Sequence, residues 1–371
     1  MTSKDRIAAA LALDSADRVP VGPLLDHFAA TYCGITKQEL IEDGGKRIAA
    51  VLKTMRELGP WDITFMAEMA NHVLLLGGPA RLRLPGHDLP ADEIHQYEEF
   101  ELLSPDDYDL LLRAGLTRFL RNVGLRLHPE MGGIKGFARF AYFVWELRKH
   151  AKMVTAAGAE PACGFILPGP LLEYFSIGRS MARMCEDLYD RPEKIKAAGK
   201  YWAKAMTDTA IRGAGIVGCK RVFIGLSRSS PSMISPRHFE EFVYPELEYM
   251  VHTLIDAGLT PLFHMDTDWS RSLPVFRRFP AKKCIMELDG DTDMVKAKEI
   301  LGDHTCLMGD VPAYLLAFKG KDEIMAYCRR LIEIVGKGGG FILSSGCSIP
   351  ANAKVENVRA LREAVEEYGR Y

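Results

Sequence analysis

The chain has 371 residues, and its 47 lysine and arginine residues nearly balance its 49 aspartate and glutamate residues. A formal net charge of −2 leaves no basic footprint for nucleic acid or for an anionic membrane surface. No apolar run approaches the ~18 residues of a membrane-spanning helix. The N-terminal segment lacks the apolar core of a signal peptide, and the eight cysteines form no CxxC pair. We therefore expect a globular cytoplasmic protein with reduced thiols.

Short apolar runs of strand type alternate with amphipathic segments along most of the chain. A helix over 3–13 precedes a buried strand at 18–25, and a helix from about 38 to 58 precedes a strand at 61–66. From about 75 to 157 an irregular and then helical excursion, with helices at 108–127 and 138–157, interrupts this alternation. Further strands, each followed by a helix, are predicted at 162–167, 221–226, 260–265, 283–288, 305–309 and 340–345.

Eight strands separated by helices predict a parallel sheet in the α/β class. Eight such units favour a closed (β/α)₈ barrel of the TIM type over an open sheet, and the segments before the first strands form an N-terminal helical elaboration. The chain carries no GxGxxG or GxxxxGK[ST] loop, so the nucleotide-binding folds lose support. We predict one barrel domain over 1–371.

Polar side chains follow nearly every predicted strand, at the end where the active sites of such barrels lie. We expect Asp266, Asp310 and Arg228 to be catalytic. The predicted substrate-binding residues, which also follow strands or end them, are His27, Met66, Glu68, Ser227 and Glu287.

His264 ends one strand, and Asp266 shares its face if the extended backbone continues, because side chains alternate along a strand. Cys347 is presented in the same way at the end of the last strand. Imidazole, carboxylate and thiolate are ligands that zinc accepts, and three protein ligands leave the open position of a catalytic zinc site. The alternative is that Asp266 or Asp268 only caps a helix beginning near Trp269.

Several segments resemble the uroporphyrinogen decarboxylase superfamily, and specifically its cobamide-dependent methyltransferase branch. The resemblance covers nearly all of 160–371 and, thinly, 5–60. The matching segments are Asp17-Arg-Val-Pro-Val21, Pro168-Gly-Pro-Leu-Leu172, the stretch 233–245 with Ser-Pro-Arg-His-Phe-Glu-Glu, Leu307-Met-Gly-Asp-Val311, and the stretch 338–350 with Gly-Gly-Gly-Phe and Gly-Cys.

Two departures from the family's patterns narrow the activity that the resemblance implies. Thiol methyltransferases of this branch bind zinc through His-x-Cys and a distal Cys; this chain keeps His264 and Cys347 but has Asp266 as the middle ligand. A carboxylate leaves the zinc more electron-poor, which suits polarisation of an ether oxygen. The decarboxylases carry an arginine-rich segment after the first strand, where this chain has 21–28 without arginine.

The resemblance thus implies a zinc-dependent methyltransferase that moves a methyl group from a methoxylated, aromatic donor to cob(I)alamin. The corrinoid would sit on a separate carrier protein, because this chain has no Asp-x-His-x-x-Gly segment. A methylcobamide:thiol methyltransferase, a uroporphyrinogen decarboxylase and a non-catalytic barrel remain as alternatives.

Overall fold

The computed structural model describes residues 1–66, 78–129 and 132–371. Its strands are β1 (Ile63–Thr64), β2 (Arg81–Arg83), β3 (Gln96–Glu98), β4 (Glu160–Pro161), β5 (Phe165–Leu167), β6 (Arg221–Leu226), β7 (Thr260–Met265), β8 (Ile285–Leu288), β9 (Cys306–Val311) and β10 (Phe341–Ser345). Strands β5 to β10 form a six-stranded parallel sheet in sequential order, whereas β2 and β3 form a separate antiparallel pair.

Backbone hydrogen bonds continue this sheet into a ring. Val21 bridges Leu343 of β10 in parallel, and its carbonyl accepts the N–H of Asp62 at 2.7 Å. Strand β1 then pairs in parallel with β4, and the N–H of Gly164 reaches the carbonyl of Arg221 at 2.8 Å. The eight predicted strand positions therefore follow one another around a barrel of the TIM type, which confirms the predicted fold class.

The first position of the ring is held by isolated bonds instead of a regular strand over 18–25. Pro20 and Pro23 have no N–H to donate to a ladder, so pairing is confined to the residues around Val21. The strand predicted at 61–66 is likewise shorter, because regular pairing is limited to β1.

Helices surround the ring and form the excursion. Their bounds are Ser3–Ala12, Phe28–Cys33, Lys37–Glu42, Gly44–Leu58, Asp106–Ala114, Leu116–Leu127, Gly133–Ala156, Leu171–Arg179, Met181–Asp190, Pro192–Val217, Pro236–His238, Tyr244–Asp256, Met294–Leu301, Ala313–Phe318, Lys321–Ile334 and Val355–Tyr368. Within the described ranges no helix is both long and apolar enough to cross a bilayer.

Two predicted helices are divided where the sequence offers a new helix start. The helix predicted from about 38 to 58 breaks at Asp43, whose carboxylate accepts the N–H of Lys46 and so caps the second half. The helix predicted over 108–127 breaks at Gly115, which has φ of +82°. Near 269–278 a 3₁₀ helix, Leu273–Arg278, replaces the predicted α-helix.

Two apolar layers hold the barrel. Alternate strand residues fill its interior, among them Phe223, Leu262 and Met308, while the residues between them pack against the helices. The helix Ser3–Ala12 contributes Ile7 to the interior cluster. It covers the amino end of the barrel, because the residues after it pack on Gly339 and Gly340 at the start of β10. The opposite, carboxyl end is left for the polar strand-end residues.

Candidate metal centre

Strand β7 delivers the central side chain of the site. The strand is buried from Pro261 onward, and His264 is 7% exposed near its end. The ladder extends one residue beyond the strand, because the N–H of Asp266 donates to the carbonyl of Leu226 at 3.1 Å. His264 and Asp266 consequently point to the same side, as alternation along a strand predicts.

Cys347 reaches the same place from β10 through a close turn. The N–H of Gly346 donates to the carbonyl of Val311 at 2.9 Å. A Cβ at Gly346 would lie 2.1 Å from the carbonyl oxygen of Asp289, so only glycine lets the chain pass there. This contact explains why glycine precedes the cysteine.

The three predicted metal ligands converge. His264 Nε2 lies 3.3 Å from Asp266 Oδ1 and 3.6 Å from Cys347 Sγ, and the three donor atoms lie within 4.8 Å of one another. Zn–N and Zn–O bonds of about 2.0–2.1 Å and a Zn–S bond of about 2.3 Å, at tetrahedral angles, would place such atoms about 3.4 Å (N to O) and about 3.6 Å (N to S) apart. The two separations from His264 Nε2 therefore match those of a zinc site, and the donor types are ones that zinc accepts.

Glu287 orients the imidazole from behind. Its Oε2 lies 2.8 Å from His264 Nδ1, so Nδ1 carries the proton and Nε2 faces the cluster. Glu287 is fully buried, and burial raises the pKa of its carboxyl. We predicted substrate binding for Glu287; the structure places it under His264, in the position that tunes a metal-ligating histidine.

The electrostatics of the cluster favour a positive charge at its centre. Burial alone would lower the pKa of His264, but Glu287 and the hydrogen bonds to Asp266 and Cys347 raise it well above its usual range. Burial opposes ionisation of Asp266 too, yet its contact with His264 lowers the pKa of this carboxyl. A pocket that stabilises an imidazolium beside two acidic groups is suited to a divalent cation.

Ser227 positions the carboxylate ligand. Its Oγ donates to Asp266 Oδ2 at 2.6 Å, which leaves Oδ1 facing His264. Asp266 caps no helix; the turn that follows is formed by Asp268, whose Oδ1 accepts the N–H of Ser270 at 2.9 Å. The next helix in the described chain is the 3₁₀ helix Leu273–Arg278, which begins after Ser272, so Asp268 forms a turn and neither aspartate caps a helix at Trp269.

A buried residue that the sequence reasoning missed holds the loop that carries Ser227. The carboxylate of Glu173 accepts the N–H groups of Ser227, Arg228 and Ser229, each at 2.9 Å, and also the hydroxyl of Ser229. Burial raises the pKa of Glu173, and these bonds oppose that shift. A charge within the apolar run Leu171-Leu-Glu-Tyr-Phe175 was the available signal.

His27 belongs to a second polar cluster beside the cysteine turn. Its Nδ1 lies 3.3 Å from Asp26 Oδ1, and its Nε2 lies 3.3 Å from His95 Nδ1. Ser348, next to Cys347, donates to Asp26 Oδ2 at 3.3 Å. Burial lowers the pKa of His95 to about 4. His95 comes from the irregular part of the excursion, and no local pattern pairs it with His27.

The hydrogen bonds of Arg228 and Asp310 lead away from the cluster. Arg228 donates from Nη1 to the carbonyl of Ser176 at 3.1 Å, and Tyr327 donates to Asp310 at 3.0 Å from an outer helix. Burial raises the pKa of Asp310 to about 7. Met66 is buried just after β1, and Glu68 lies outside the described residues. Their catalytic and binding roles stay predictions.

Comparison with known proteins agrees with this barrel. The family model described as Uroporphyrinogen decarboxylase (URO-D) matches residues 149–368, which is more than half of the chain. The chain therefore belongs to the uroporphyrinogen decarboxylase family, and the resemblance inferred from its sequence segments is confirmed at this level.

Individual relatives match over shorter segments or at lower identity. The uroporphyrinogen decarboxylase of Methylococcus capsulatus is 31% identical over 81 residues, 22% of this chain and 23% of that protein. The Coxiella burnetii enzyme is 33% identical over 82 residues, 22% of each chain. The matched segment thus spans under a quarter of these curated relatives.

A solved structure extends the likeness of fold to the whole chain. A methyltransferase from Methanosarcina mazei superposes with a TM-score of 0.73 at 16% identity and covers 99% of both chains. At this identity the likeness concerns the fold, so the excursion and the barrel together have a counterpart of similar architecture.

Proposed function

We propose that this chain is a zinc-dependent methyltransferase that transfers a methyl group from a methoxylated aromatic donor to the reduced corrinoid of a separate carrier protein. The observation that carries the proposal is the convergence of His264 Nε2, Asp266 Oδ1 and Cys347 Sγ within 4.8 Å of one another, a donor set that a single zinc ion accepts. The structural likeness to a methyltransferase supports the same reading.

The zinc, when bound by His264, Asp266 and Cys347, would supply a Lewis acid next to the ether oxygen of the donor. Two further residues of the chain would position its ligands. Glu287 holds His264 in the tautomer that leaves Nε2 free to ligate. Ser227 keeps Asp266 turned toward the cluster.

Asp266 decides which kind of atom the site activates. A carboxylate donates less charge than the thiolate found at the middle position in thiol methyltransferases, so the site stabilises a departing phenolate better than it activates a bound thiol. The donor's ring would pack on the predicted substrate-binding residues, for which His27, Met66 and Glu68 are the proposed candidates.

Decarboxylation of uroporphyrinogen has less support, although the curated relatives carry that name. The segment after the first barrel position, 21–28, contains no arginine that could bind the substrate's carboxylates. The polar side chains of this segment are those of Asp26 and His27; His27 lies 3.3 Å from Asp26 through Nδ1 and 3.3 Å from His95 through Nε2.

The proposal is tested by metal analysis together with a donor panel. Protein purified without chelators is expected to hold about one zinc per chain, because three ligands form a single site. Reduced corrinoid protein is then mixed with the enzyme and a series of methoxylated aromatics, and methylation is followed by the corrinoid absorption spectrum. Transfer from a thioether but from no ether would favour the thiol alternative, and protein without zinc would favour a non-catalytic barrel.

A further inference from the structure

The excursion carries an exposed aromatic surface that packing does not explain. Along residues 133–145 of the helix Gly133–Ala156, which we name the outer section, five large apolar side chains are more than half exposed. They are Ile134 (88%), Phe137 (74%), Phe140 (56%), Tyr142 (57%) and Trp145 (53%). Single exposed apolar residues are ordinary, but a contiguous group on one element marks an interaction site.

The outer section lies at the end of the barrel that holds the candidate metal centre formed by His264, Asp266 and Cys347. The helix leads through 157–159 into β4, so it runs opposite to the strands and starts at their carboxyl end. Glu146 contacts Arg47 and crowds Gly44, in the first turn of the helix that leads into β1. The thirteen residues before Glu146 therefore lie on the carboxyl side of this contact and span about 20 Å of helix, at 1.5 Å per residue, with Phe143 still packed on the chain.

The distribution of the apolar side chains around the helix indicates a groove as the binding partner. At 100° per residue, Phe140, Phe137, Ile134, Trp145 and Tyr142 cover more than half of the helix circumference. A helix that lies on a flat lipid surface presents one apolar face, whereas a helix enclosed by a protein groove is contacted on several sides.

The charge of this helix favours one kind of protein partner over another. The helix has the exposed basic residues Lys135, Arg139, Arg148, Lys149 and Lys152. Its one acidic residue, Glu146, is buried against Arg47. A second copy packed antiparallel on this helix would place basic residues against basic residues. An acidic partner would be complementary instead.

We propose that the outer section is the docking surface for the corrinoid carrier protein, which would offer an apolar groove bordered by acidic residues. This inference rests on the proposed function, because only that function requires a second protein to approach the metal cluster. The helix stands where such a protein must arrive, at the carboxyl end of the barrel.

The test compares two methyl acceptors, the purified reduced carrier protein and free cob(I)alamin. Ile134→Ser and Phe137→Ser are expected to raise the KM for the carrier about tenfold each, the scale of losing an apolar anchor, while kcat and transfer to free cob(I)alamin stay unchanged. Ile216→Ser is the matched control, because Ile216 is 49% exposed near the C-terminus of the helix that leads into the amino end of β6.

Charge reversal gives an independent measurement. Lys135→Glu is expected to slow association with the carrier, and this effect should shrink as salt concentration rises. Calorimetric titration of the carrier into each variant measures docking without any methyl transfer.

The outcomes separate docking from function. The docking proposal would be overturned if Ile134→Ser and Phe137→Ser both left the KM unchanged. It would also be overturned by a dimer of this chain that Phe137→Ser dissolves, or by binding to anionic vesicles that Phe137→Ser abolishes. Docking that depends on Phe137 without any transfer would keep the surface and reject the proposed function. Neither docking nor transfer in the wild-type protein would reject both.

Discussion

The candidate metal centre and the outer section of the helix Gly133–Ala156 both depart from the usual placement of side chains. The first buries polar groups, and the second exposes aromatic ones. At the cluster, His264 and Glu287 are polar and almost completely buried. On the outer section, Phe137 and Trp145 are aromatic and mostly exposed. These buried polar groups hold one another within the chain, because His264 contacts Glu287 through Nδ1 and Asp266 through Nε2.

The difference shows how the two regions are stabilised. Buried charges cost free energy unless each is paired, so removing one member of the cluster leaves the others unsatisfied. Exposed aromatic side chains cost little in the folded chain, and their contribution is realised when a partner covers them. Substitutions at the candidate metal centre should therefore change the chemical step, and substitutions on the outer section should change association with a partner. Each group should have little effect on the other property.

The largest effect is expected from removing a metal ligand. His264→Ala and Cys347→Ala each delete one of three donors, and zinc affinity should fall by more than about 100-fold, above the range for losing an outer partner. Methyl transfer should be abolished while circular dichroism still shows a folded barrel. Cys185→Ala is the control, because this thiol lies on an outer helix. Full zinc occupancy in both variants would refute the ligand assignment.

A matched pair of phenylalanines on one helix sharpens the comparison for stability. Phe143 is 7% exposed and Phe137 is 74% exposed. Phe143→Ala should lower the free energy of unfolding by about 3–5 kcal/mol, the usual cost of emptying a core site. Phe137→Ala should change it by less than about 0.5 kcal/mol. Urea denaturation measures both, and equal losses would mean that the outer section is covered within the chain.

The next effect concerns the identity of the middle ligand. Asp266→Cys should retain zinc but slow demethylation of an aryl methyl ether about 10²–10³-fold, the cost of losing a well-placed electrostatic stabiliser. Asp268→Asn serves as control, since Asp268 only forms the following turn. A normal demethylation rate in Asp266→Cys would remove the argument that a carboxylate directs the site toward oxygen.

A smaller effect is expected from the residue behind the imidazole. Glu287→Gln keeps the shape but removes the charge that holds His264 Nδ1–H, so zinc affinity should fall about 10–100-fold. Competition with a metal chelator of known affinity measures this change. An unchanged affinity would show that Glu287 serves only the packing of the barrel.

The smallest effect is expected from His95, which lies where the excursion contacts the barrel. Its folded-state pKa of about 4 lies below the usual value, so the folded chain binds fewer protons than the unfolded chain. Its contribution to stability is complete above about pH 6.5 and is lost as the pH falls toward 4. After allowance for partial exposure, the loss is on the order of 1 kcal/mol.

His95→Gln should flatten the dependence of Tm on pH in this window. His150 lies on the barrel-packed part of the helix, and burial lowers its pKa to about 4 as well. His150→Gln should therefore act in the same direction and provides the comparison. A pH profile identical to that of the wild-type protein in His95→Gln would mean that His95 does not titrate differently on folding.

Local sequence patterns predicted the barrel and the three residues that converge in the candidate metal centre. Alternating strands and helices predicted eight parallel positions, and the structure places them around one ring. Because the carboxyl ends of parallel strands meet at one end of a barrel, His264 and Cys347 could be paired across 83 residues without any motif. Residue type then predicted zinc, and the donor spacing agrees with it.

The exposure of individual side chains depended on which helices and strands become neighbours in the fold. The hydrophobic periodicity of a single segment does not show this. Tyr142 and Trp145 are exposed although Phe143 between them is buried, because only one face of this part of the helix packs on the rest of the chain. Helical periodicity shows which residues share a face but not whether another element covers that face.

The same limit applies to the partners of the site. Glu287 was read as a substrate ligand from its strand end, and only the in-register pairing of β7 with β8 places it beside His264. Glu173 reaches the loop 227–229 from a different unit of the barrel. The sequence by itself determined the fold and the chemical types of the ligands, because these follow from short-range pattern and residue identity. Only the tertiary structure decided which carboxylates orient which ligands, because hydrogen bonds between distant segments depend on register and packing.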